Sequence, residues 1–565
     1  MLDVLQRHDI DTIVLSPGSR NAPVLISCAL RRNLRKYIIP DERTAAFVAL
    51  GIAMASGKPV ALACTSGTAL YNYAPAVAEA FYQKIPLVVI TADRPSQWID
   101  QDDSQTLRQY GSLDNIVKGS YNLPVDSCRE GCANNDYGSE GDWFANRSVN
   151  EAILTATTGI PGPVHINIQL DTPLGEIKDI SRRPVHKEER TIRQIDNPSG
   201  LPPHVMEQLA EELAGRRIML TAGFMSPSDS MNRAVMAFAA LPNVTVFAET
   251  LSNLHIPGYP FMVDTILTRL SQEELERLRP DVVISIGGAL VSRMLKEYLR
   301  KSEVTEHWTL GDTAPATDCF QRLTTHIAVL PDRFLKGMAG MLRRITYRKG
   351  IMPPEYGKEW HELRHLHHTQ IKKEIHDAEW SELKAIHQIC ESLPPACNVF
   401  LSNGTAVRYA QLCMDRIPHA CFGNRGVSGI DGTNATAYGT AAEYPGMTLL
   451  ITGDMSFSYC PQIMQLPTEN ADLRIIVMNN DGGGIFRFIP TTRKLEMREE
   501  YFCVPADIPF RKLAEAYGWH HIEAGNEEEL TAAIAELIAT PRSMLEIKVD
   551  AQKSADILTK FLRTQ

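Results

Sequence analysis

The densest chemistry in the chain lies between Ile451 and Phe488. An apolar run, Met447–Ile451, empties into Thr452-Gly453-Asp454-Met455-Ser456. A second run, Leu473–Met478, empties into Asn479-Asn480-Asp481-Gly482-Gly483-Gly484. Both runs read as buried parallel strands, and open α/β sheets bind ligands at the edge where such strands end. Asp454 offers a carboxylate, the asparagines offer amide oxygens, and the Gly-rich turn offers backbone carbonyls. A hard oxygen set of this kind suits Mg²⁺ held by few protein ligands together with substrate phosphates. The glycines let backbone N–H groups approach a phosphate. A Gly-Asp pair alone is an ordinary turn. Combined with a helix-length spacer, an apolar strand and Asn-Asn-Asp-Gly-Gly, it points to a metal-anchored phosphate.

Arginines supply the second signal. Arg20, Arg94, Arg293, Arg408 and Arg425 mostly fall at strand-to-helix junctions, the functional edge of such sheets. A guanidinium fork grips a carboxylate with two hydrogen bonds. Several of them around one cleft imply a substrate that carries several carboxylates.

The elements that position these residues follow a βαβα rhythm. Strands are predicted at Thr12–Leu15, Tyr37–Ile39, Pro59–Cys64, Ile85–Thr91 and Pro163–Ile168. They are interleaved with helices, one of them opened by Asp41-Glu42-Arg43 and running to Ser56. Asn21 is read as a helix cap. Residues 119–146 are polar and read as a surface loop. A second block has strands at Arg217–Thr221, Val244–Phe247, Asp281–Ile286 and His307–Leu310. His361, His365 and His368 recur at helical spacing and read as one solvated face. A third block has strands at Cys397–Leu401 and Ser543–Val549 around the opening stretch. The predicted architecture is therefore α/β, with three doubly wound parallel-sheet domains. The expected boundaries are 1–172, a linker at 173–200, a central domain at 201–345, a linker or helical segment at 346–380, and a last domain at 381–565. The first and third blocks share a βα pattern, as a duplicated architecture would. Only Met1–His8 precede the first strand, so the natural start is expected upstream.

Composition narrows the function. With 44% hydrophobic and 22% charged residues, the 565-residue chain is ordinary for a globular protein. No apolar run nears the roughly 18 residues of a membrane span, so no membrane partner is expected. A net charge of −10 argues against nucleic acid. The eleven cysteines are scattered. The closest pair, Cys128 and Cys132, has no second pair or nearby His to complete a zinc site. Free thiols and the lack of a leader peptide predict a cytoplasmic location.

The Asp454–Asn480 stretch resembles the diphosphate-anchoring motif of thiamine-diphosphate enzymes. Six further stretches recur in order: Ser16-Pro17-Gly18-Ser19-Arg20, Asp41-Glu42-Arg43, Thr65-Ser66-Gly67-Thr68, Thr91-Ala92-Asp93-Arg94-Pro95, Gln105 with Arg108-Gln109, and Asn424-Arg425-Gly426-Val427-Ser428-Gly429-Ile430-Asp431-Gly432. Together they resemble the 2-succinyl-5-enolpyruvyl-6-hydroxy-3-cyclohexene-1-carboxylate synthases of menaquinone biosynthesis, over nearly the whole chain. The three domains would then be pyrimidine-binding, central and diphosphate-binding.

The resemblance also implies roles. Asp454, Asn480 and the Gly482 carbonyl would ligate Mg²⁺ or Mn²⁺. Glu42 would meet the cofactor's pyrimidine ring and act catalytically. Thr65, Ser66, Gly67, Met455, Ser456 and Gly483 would contact thiamine diphosphate. Ile430 would support its bend, and Ile485 and Phe486 would line the pocket. Ser19, Arg20, Arg94 and Gln105 would hold isochorismate. Arg408 and Arg425, with Arg293 from the central domain, would hold carboxylates of isochorismate or of the unit derived from 2-oxoglutarate. A homodimer or homotetramer with active sites between subunits is implied. The chain departs from the family pattern at Met455, at Gly404 and at Met294. The competing readings are an acetolactate-synthase-like or oxidase-type enzyme and a catalytically silent cofactor-binding homologue.

Overall fold

The structure is a computed structural model. It describes residues 1–123, 125, 140–172, 174, 189–195, 200–257, 261–311, 317–469, 471–505 and 507–562. Cys128, Cys132 and most of the expected 173–200 linker fall outside the described residues. Among the described residues there are three sheets, and every strand pairing in them is parallel. Among the described residues, no helix is long and apolar enough to cross a membrane.

The chain divides into two compact units. The first comprises Met1–Asp196, Asn424–Pro445 and Gln465–Ala471. Its sheet contains β1 (Thr12–Leu15), β2 (Arg35–Ile38), β3 (Val60–Cys64), β4 (Leu87–Asp93), β5 (Ser120–Leu123) and β6 (Val164–Gln169), in the order β2-β1-β3-β4-β6-β5. Buried strands β1, β3 and β4 are unbroken apolar or small-residue runs, because helices cover both faces of such a sheet. Residues 120–123, expected in a loop, form edge strand β5, and residues 140–157 are a helix. The strand was hidden because an edge position leaves Ser120, Tyr121 and Asn122 half-buried. Asn21 does stand at the N-cap position, but its side chain donates to the Ser16 carbonyl at 2.9 Å instead of capping the helix.

The centre of this unit is a crossing of two helices, Glu42–Ser56 and Thr433–Glu443. Asp41 caps the first by accepting from Thr44 N–H at 3.1 Å. Residues 44–54 and 433–441 are buried. The crossing is close because Gly51 and Gly439 face the partner backbone. A Cβ on Gly51 would stand 2.9 Å from Thr440 N and nearer still to the Thr436 carbonyl oxygen. One on Gly439 would stand 3.0 Å from Ile52 N.

The second unit comprises Asn197–Gly423, Gly446–Met464 and Asp472–Gln565. One sheet holds β7 (Ile218–Ala222), β8 (Val244–Ala248), β9 (Val282–Ile286), β10 (Glu306–Gly311) and β11 (Leu323–Ala328), ordered β11-β10-β9-β7-β8. The other holds β12 (Asn398–Leu401), β13 (Ala420–Phe422), β14 (Thr448–Gly453), β15 (Leu473–Asn479), β16 (His520–Ala524) and β17 (Ser543–Lys548), ordered β13-β12-β14-β15-β17-β16. That order repeats the first unit's sheet position for position. One core of buried side chains runs through both sheets of this unit. Asn253 ties them together, donating to the Met225 and Cys421 carbonyls and accepting from Cys421 N–H at 2.7 Å. The helix Tyr356–His376 buries Tyr356, Trp360, Ile371 and Ile375. His361 and His365 are exposed, and His368 pairs with Asp415 at 2.7 Å.

Candidate active site

In each six-stranded sheet the chain reverses its winding direction between two neighbouring strands, the point at which open α/β sheets bind their ligands. In the first unit the switch lies between β1 and β3. The turn after β1 carries Ser19 and Arg20, and the turn after β3 carries Thr65, Ser66 and Gly67. Arg20 N–H donates to Thr65 Oγ1 at 3.3 Å, and its Nη1 donates to the Leu170 carbonyl at 2.9 Å. Its guanidinium is held below the usual arginine range, first by burial and then by the charge of Arg94. Ser19 is exposed. Glu42 is half-buried at the head of its helix, and its charge is felt at Cys64, the last residue of β3.

Arg94 leaves β4 and meets the following loop. Its Nη1 pairs with Asp103 at 2.6 Å, and its Nε donates to the Ser104 carbonyl at 2.9 Å. Gln105 is exposed in the left-handed region (φ 54°), close to Gly67. Gln109, buried, fixes that loop: it accepts from Gly67 N–H at 2.8 Å and donates to Asn167 Oδ1 at 3.0 Å. Arg425 is buried and Ile430 half-buried on the loop that leads into the Thr433 helix. Glu79 holds this loop. It is a buried carboxylate that accepts the N–H groups of Gly426, Val427 (2.8 Å) and Ser428 (3.3 Å). Its sequence signature is that of an ordinary helical glutamate four residues before Gln83, so nothing in the chain marks it.

In the second unit the equivalent switch lies between β12 and β14. Asp454 follows β14, 3% exposed. One oxygen accepts from Met455 N–H at 2.6 Å; the other accepts from Asn480 N–H at 3.2 Å and Gly482 N–H at 2.8 Å. Burial raises its carboxyl above the ordinary range against the pull of these donors. Asn480 is also buried, and its Oδ1 accepts no hydrogen bond. Buried oxygens are almost always satisfied, and an orphan oxygen on a residue whose N–H the Asp454 carboxylate holds is one that a divalent cation would complete. The Gly482 carbonyl accepts from Arg487 Nη1 at 3.0 Å and keeps a second lone pair. This donor set is all oxygen and fits Mg²⁺ or Mn²⁺. Gly484 packs on the Asn480 amide, where a Cβ would stand 3.1 Å from Cγ. Ser456 is buried, while Met455, Gly483, Ile485 and Phe486 are half-buried around the same edge. The Phe486 ring meets that of Phe502 at 5.6 Å.

Arg408 is exposed and donates to the Gly404 carbonyl. Arg293 is 68% exposed and pairs with Glu297 in its own helix. The turn before Arg293 is anchored by Glu249, which accepts from Val291 and Ser292 N–H at 2.6 Å each. Full burial pushes the Glu249 carboxyl up to about 7. Ser292 donates in turn to Asp264, whose carboxyl feels the charge of Arg408. Sequence reading passed over Glu249, Asp264 and Glu382. Glu382, completely buried, accepts from Asn480 Nδ2, and burial pushes its carboxyl up to about 7. An acid in a first helical turn after Ser381 is common, so its position gave no signal.

Comparison with known proteins agrees with this geometry. Residues 1–112 match the thiamine pyrophosphate enzyme N-terminal TPP-binding domain, and residues 403–547 match the C-terminal TPP-binding domain. Over 573 residues the chain is 39% identical to the 2-succinyl-5-enolpyruvyl-6-hydroxy-3-cyclohexene-1-carboxylate synthase of Porphyromonas gingivalis, covering 99% of this chain and 96% of that one. Synthases of the same name from Cytophaga hutchinsonii and Flavobacterium johnsoniae are 33% and 34% identical. They cover 100% and 94% of this chain and 97% and 91% of their own. The chain belongs to the 2-succinyl-5-enolpyruvyl-6-hydroxy-3-cyclohexene-1-carboxylate synthase family of thiamine-diphosphate-dependent enzymes.

Proposed function

We propose that this enzyme joins two polyanionic substrates in menaquinone biosynthesis. 2-Oxoglutarate loses carbon dioxide, and its remaining four-carbon unit is added 1,4 to isochorismate, giving 2-succinyl-5-enolpyruvyl-6-hydroxy-3-cyclohexene-1-carboxylate. The observation that carries the substrate reading is that buried Arg20, after β1, and Arg94, after β4, stand at the same edge of one sheet with only β3 between their strands, and that the charge of Arg94 is felt at Arg20. Asp103 already pairs with Arg94, and a substrate carboxylate would take its place on that guanidinium.

Thiamine diphosphate supplies the ring that accepts the electrons released when carbon dioxide leaves. The protein's share is binding and positioning. Asp454, Asn480 and the Gly482 carbonyl would hold Mg²⁺ or Mn²⁺ and, through it, the diphosphate. Met455, Ser456 and Gly483 would flank it. Thr65, Ser66, Gly67, Ile430, Ile485 and Phe486 would surround the rings, and Glu42 would share a proton with the pyrimidine. Ser19, Arg20, Arg94 and Gln105 would orient isochorismate. Arg408 and Arg425, with Arg293 as the central-domain contact, would hold the remaining carboxylates. Bringing the two anions together supplies proximity, worth several kcal/mol. The proposed organisation is a pyrimidine-binding domain (1–172), a central domain (201–345) and a diphosphate-binding domain (381–565), joined by segments at 173–200 and 346–380. It would work in the cytoplasm as a homodimer or homotetramer with active sites between subunits.

The test is carbon dioxide release from 2-oxoglutarate with thiamine diphosphate and Mg²⁺, with and without isochorismate, and identification of the product by mass. Product of the expected mass supports the reading. No carbon dioxide release under either condition refutes it.

A further inference from the structure

Two consecutive asparagines close β15, and each amide is gripped on its nitrogen side by a different buried carboxylate. Asn479 Nδ2 donates to Glu546 Oε1 at 2.7 Å, and Asn480 Nδ2 donates to Glu382 Oε1. Glu546 stands on the adjacent strand β17, and its second oxygen pairs with His521 Nε2 of β16 at 2.9 Å. Glu382 comes from a distant stretch of chain, the first turn of the helix Glu382–Ser392. Both carboxylates are at least 95% buried.

The two ends of a primary amide have nearly the same shape and opposite polarity. Nothing in packing alone decides which end faces a ligand. If the NH₂ end of Asn480 faced Asp454, an approaching cation would meet hydrogens. In the structure Glu382 Oε1 accepts from the nitrogen, which turns Oδ1 to the opposite side. That oxygen is a buried atom with no hydrogen-bond partner, as is Glu382 Oε2. Glu546 acts likewise on Asn479, whose Oδ1 then accepts from Asp481 N–H at 3.2 Å and shapes the turn to Gly482. His521, Glu523 and Glu546 also gather near one another. That group is already spent, because Glu523 pairs with Lys548 at 2.8 Å and Glu546 serves Asn479 and His521.

We propose that Glu382 is a positioning residue for the divalent cation: by accepting from Asn480 Nδ2 it sets the amide so that Oδ1 is presented as a metal ligand. This rests on the reading above that Asp454 and Asn480 bind the metal. Glu382 touches neither substrate nor cofactor in this scheme; it acts through Asn480.

The test is Mn²⁺ titration of the full-length protein with saturating thiamine diphosphate, read by electron paramagnetic resonance, which requires no turnover. E382M keeps the side-chain length but cannot accept. Losing an outer partner of a metal ligand typically costs about 10- to 100-fold in metal affinity, and E382M is expected to fall in that range. E382Q, whose Oε1 still accepts from Asn480 Nδ2, is expected to retain most of the affinity. E382M binding like the parent protein, or E382Q as weak as E382M, overturns the proposal. Should E382M fail to fold, a folded E382Q that has lost Mn²⁺ binding overturns it. D454N in the same titration separates the two layers. If D454N binds Mn²⁺ normally, the metal-site reading itself fails. If D454N loses binding while E382M keeps it, only the role of Glu382 fails.

Discussion

Gly51→Ala sets two effects of opposite sign against each other. Inside a helix, Ala is favoured over Gly by about 1 kcal/mol. At Gly51, however, the new Cβ would stand 2.9 Å from the Thr436 carbonyl carbon, whereas carbon atoms rest at about 3.5–4.0 Å. The two helices must part by at least roughly 0.6 Å, and the obstacle is backbone, which has no rotamer in which to retreat. Overpacking of this kind costs about 1–3 kcal/mol, with the upper end expected here. The net loss is about 2 kcal/mol. Gly340 is the control, because it lies in the helix Pro331–Lys349 and a Cβ there would meet nothing within 4 Å. Gly340→Ala should therefore gain up to about 1 kcal/mol. Urea unfolding of both variants reads the difference directly. Turnover should fall with G51A as well, because Phe47, in the same helix as Glu42, packs on Gly432 beside Ile430, and misplacement by about 1 Å can cost 100-fold in rate. A Gly51→Ala protein that is more stable than the parent by the propensity difference would refute the reasoning.

Three other outcomes are expected. Asp103→Asn removes the carboxylate that holds Arg94 at 2.6 Å; a part-exposed pair is worth up to about 1 kcal/mol, so KM for isochorismate should drop by up to about fivefold, and an unchanged or higher KM would contradict the competition. Glu42→Gln should abolish turnover while largely sparing thiamine diphosphate binding measured by calorimetry; near-normal rates would refute its role. His165 is buried against Thr91, and burial lowers its pKa from 6.5 to about 4. Between those values the unfolded chain takes up a proton that the folded chain refuses, so stability falls as pH drops. Relative to His165→Gln, the parent protein should lose about 2 kcal/mol between pH 7.5 and about pH 5; parallel urea curves for the two proteins would sink this.

Much of the fold is legible from the sequence because parallel strands covered on both faces must be continuous apolar runs. Val60–Cys64 and Leu473–Met478 could be nothing else. The strands that escaped are the edges: Ser120–Leu123, Leu323–Ala328, Ala420–Phe422 and His520–Ala524. Three of these keep part-exposed residues, which blurs the signal. The fourth is only three residues long. Asn21 shows a different limit. Its residue type and place announced a cap, but its amide found the Ser16 carbonyl first. The Asp454 and Asn480 pair was legible as a motif because its chemistry needs particular atoms at strand ends. Gly51 and Gly439 were not, because periodicity reports that a face is buried and never which backbone it is buried against.

The least legible residues are the buried carboxylates Glu79 and Glu249, and they share one job with Asp454. Glu79 gathers the N–H groups of the Arg425 loop, Glu249 those of the turn before Arg293, and Asp454 those of the Asn480–Gly482 turn. Loops at strand ends carry the site and have no ladder of their own to hold them. A carboxylate accepts several donors at once, and charge-assisted bonds are roughly twice as strong as neutral ones. Burying that charge is costly unless the donors saturate it, so each anchor is stable only when its loop is in place. That dependence makes the loop conformation specific, a benefit an apolar contact of the same size would not give. It also explains the silence of the sequence, since a glutamate that will be buried under three N–H groups is spelled like one that faces water.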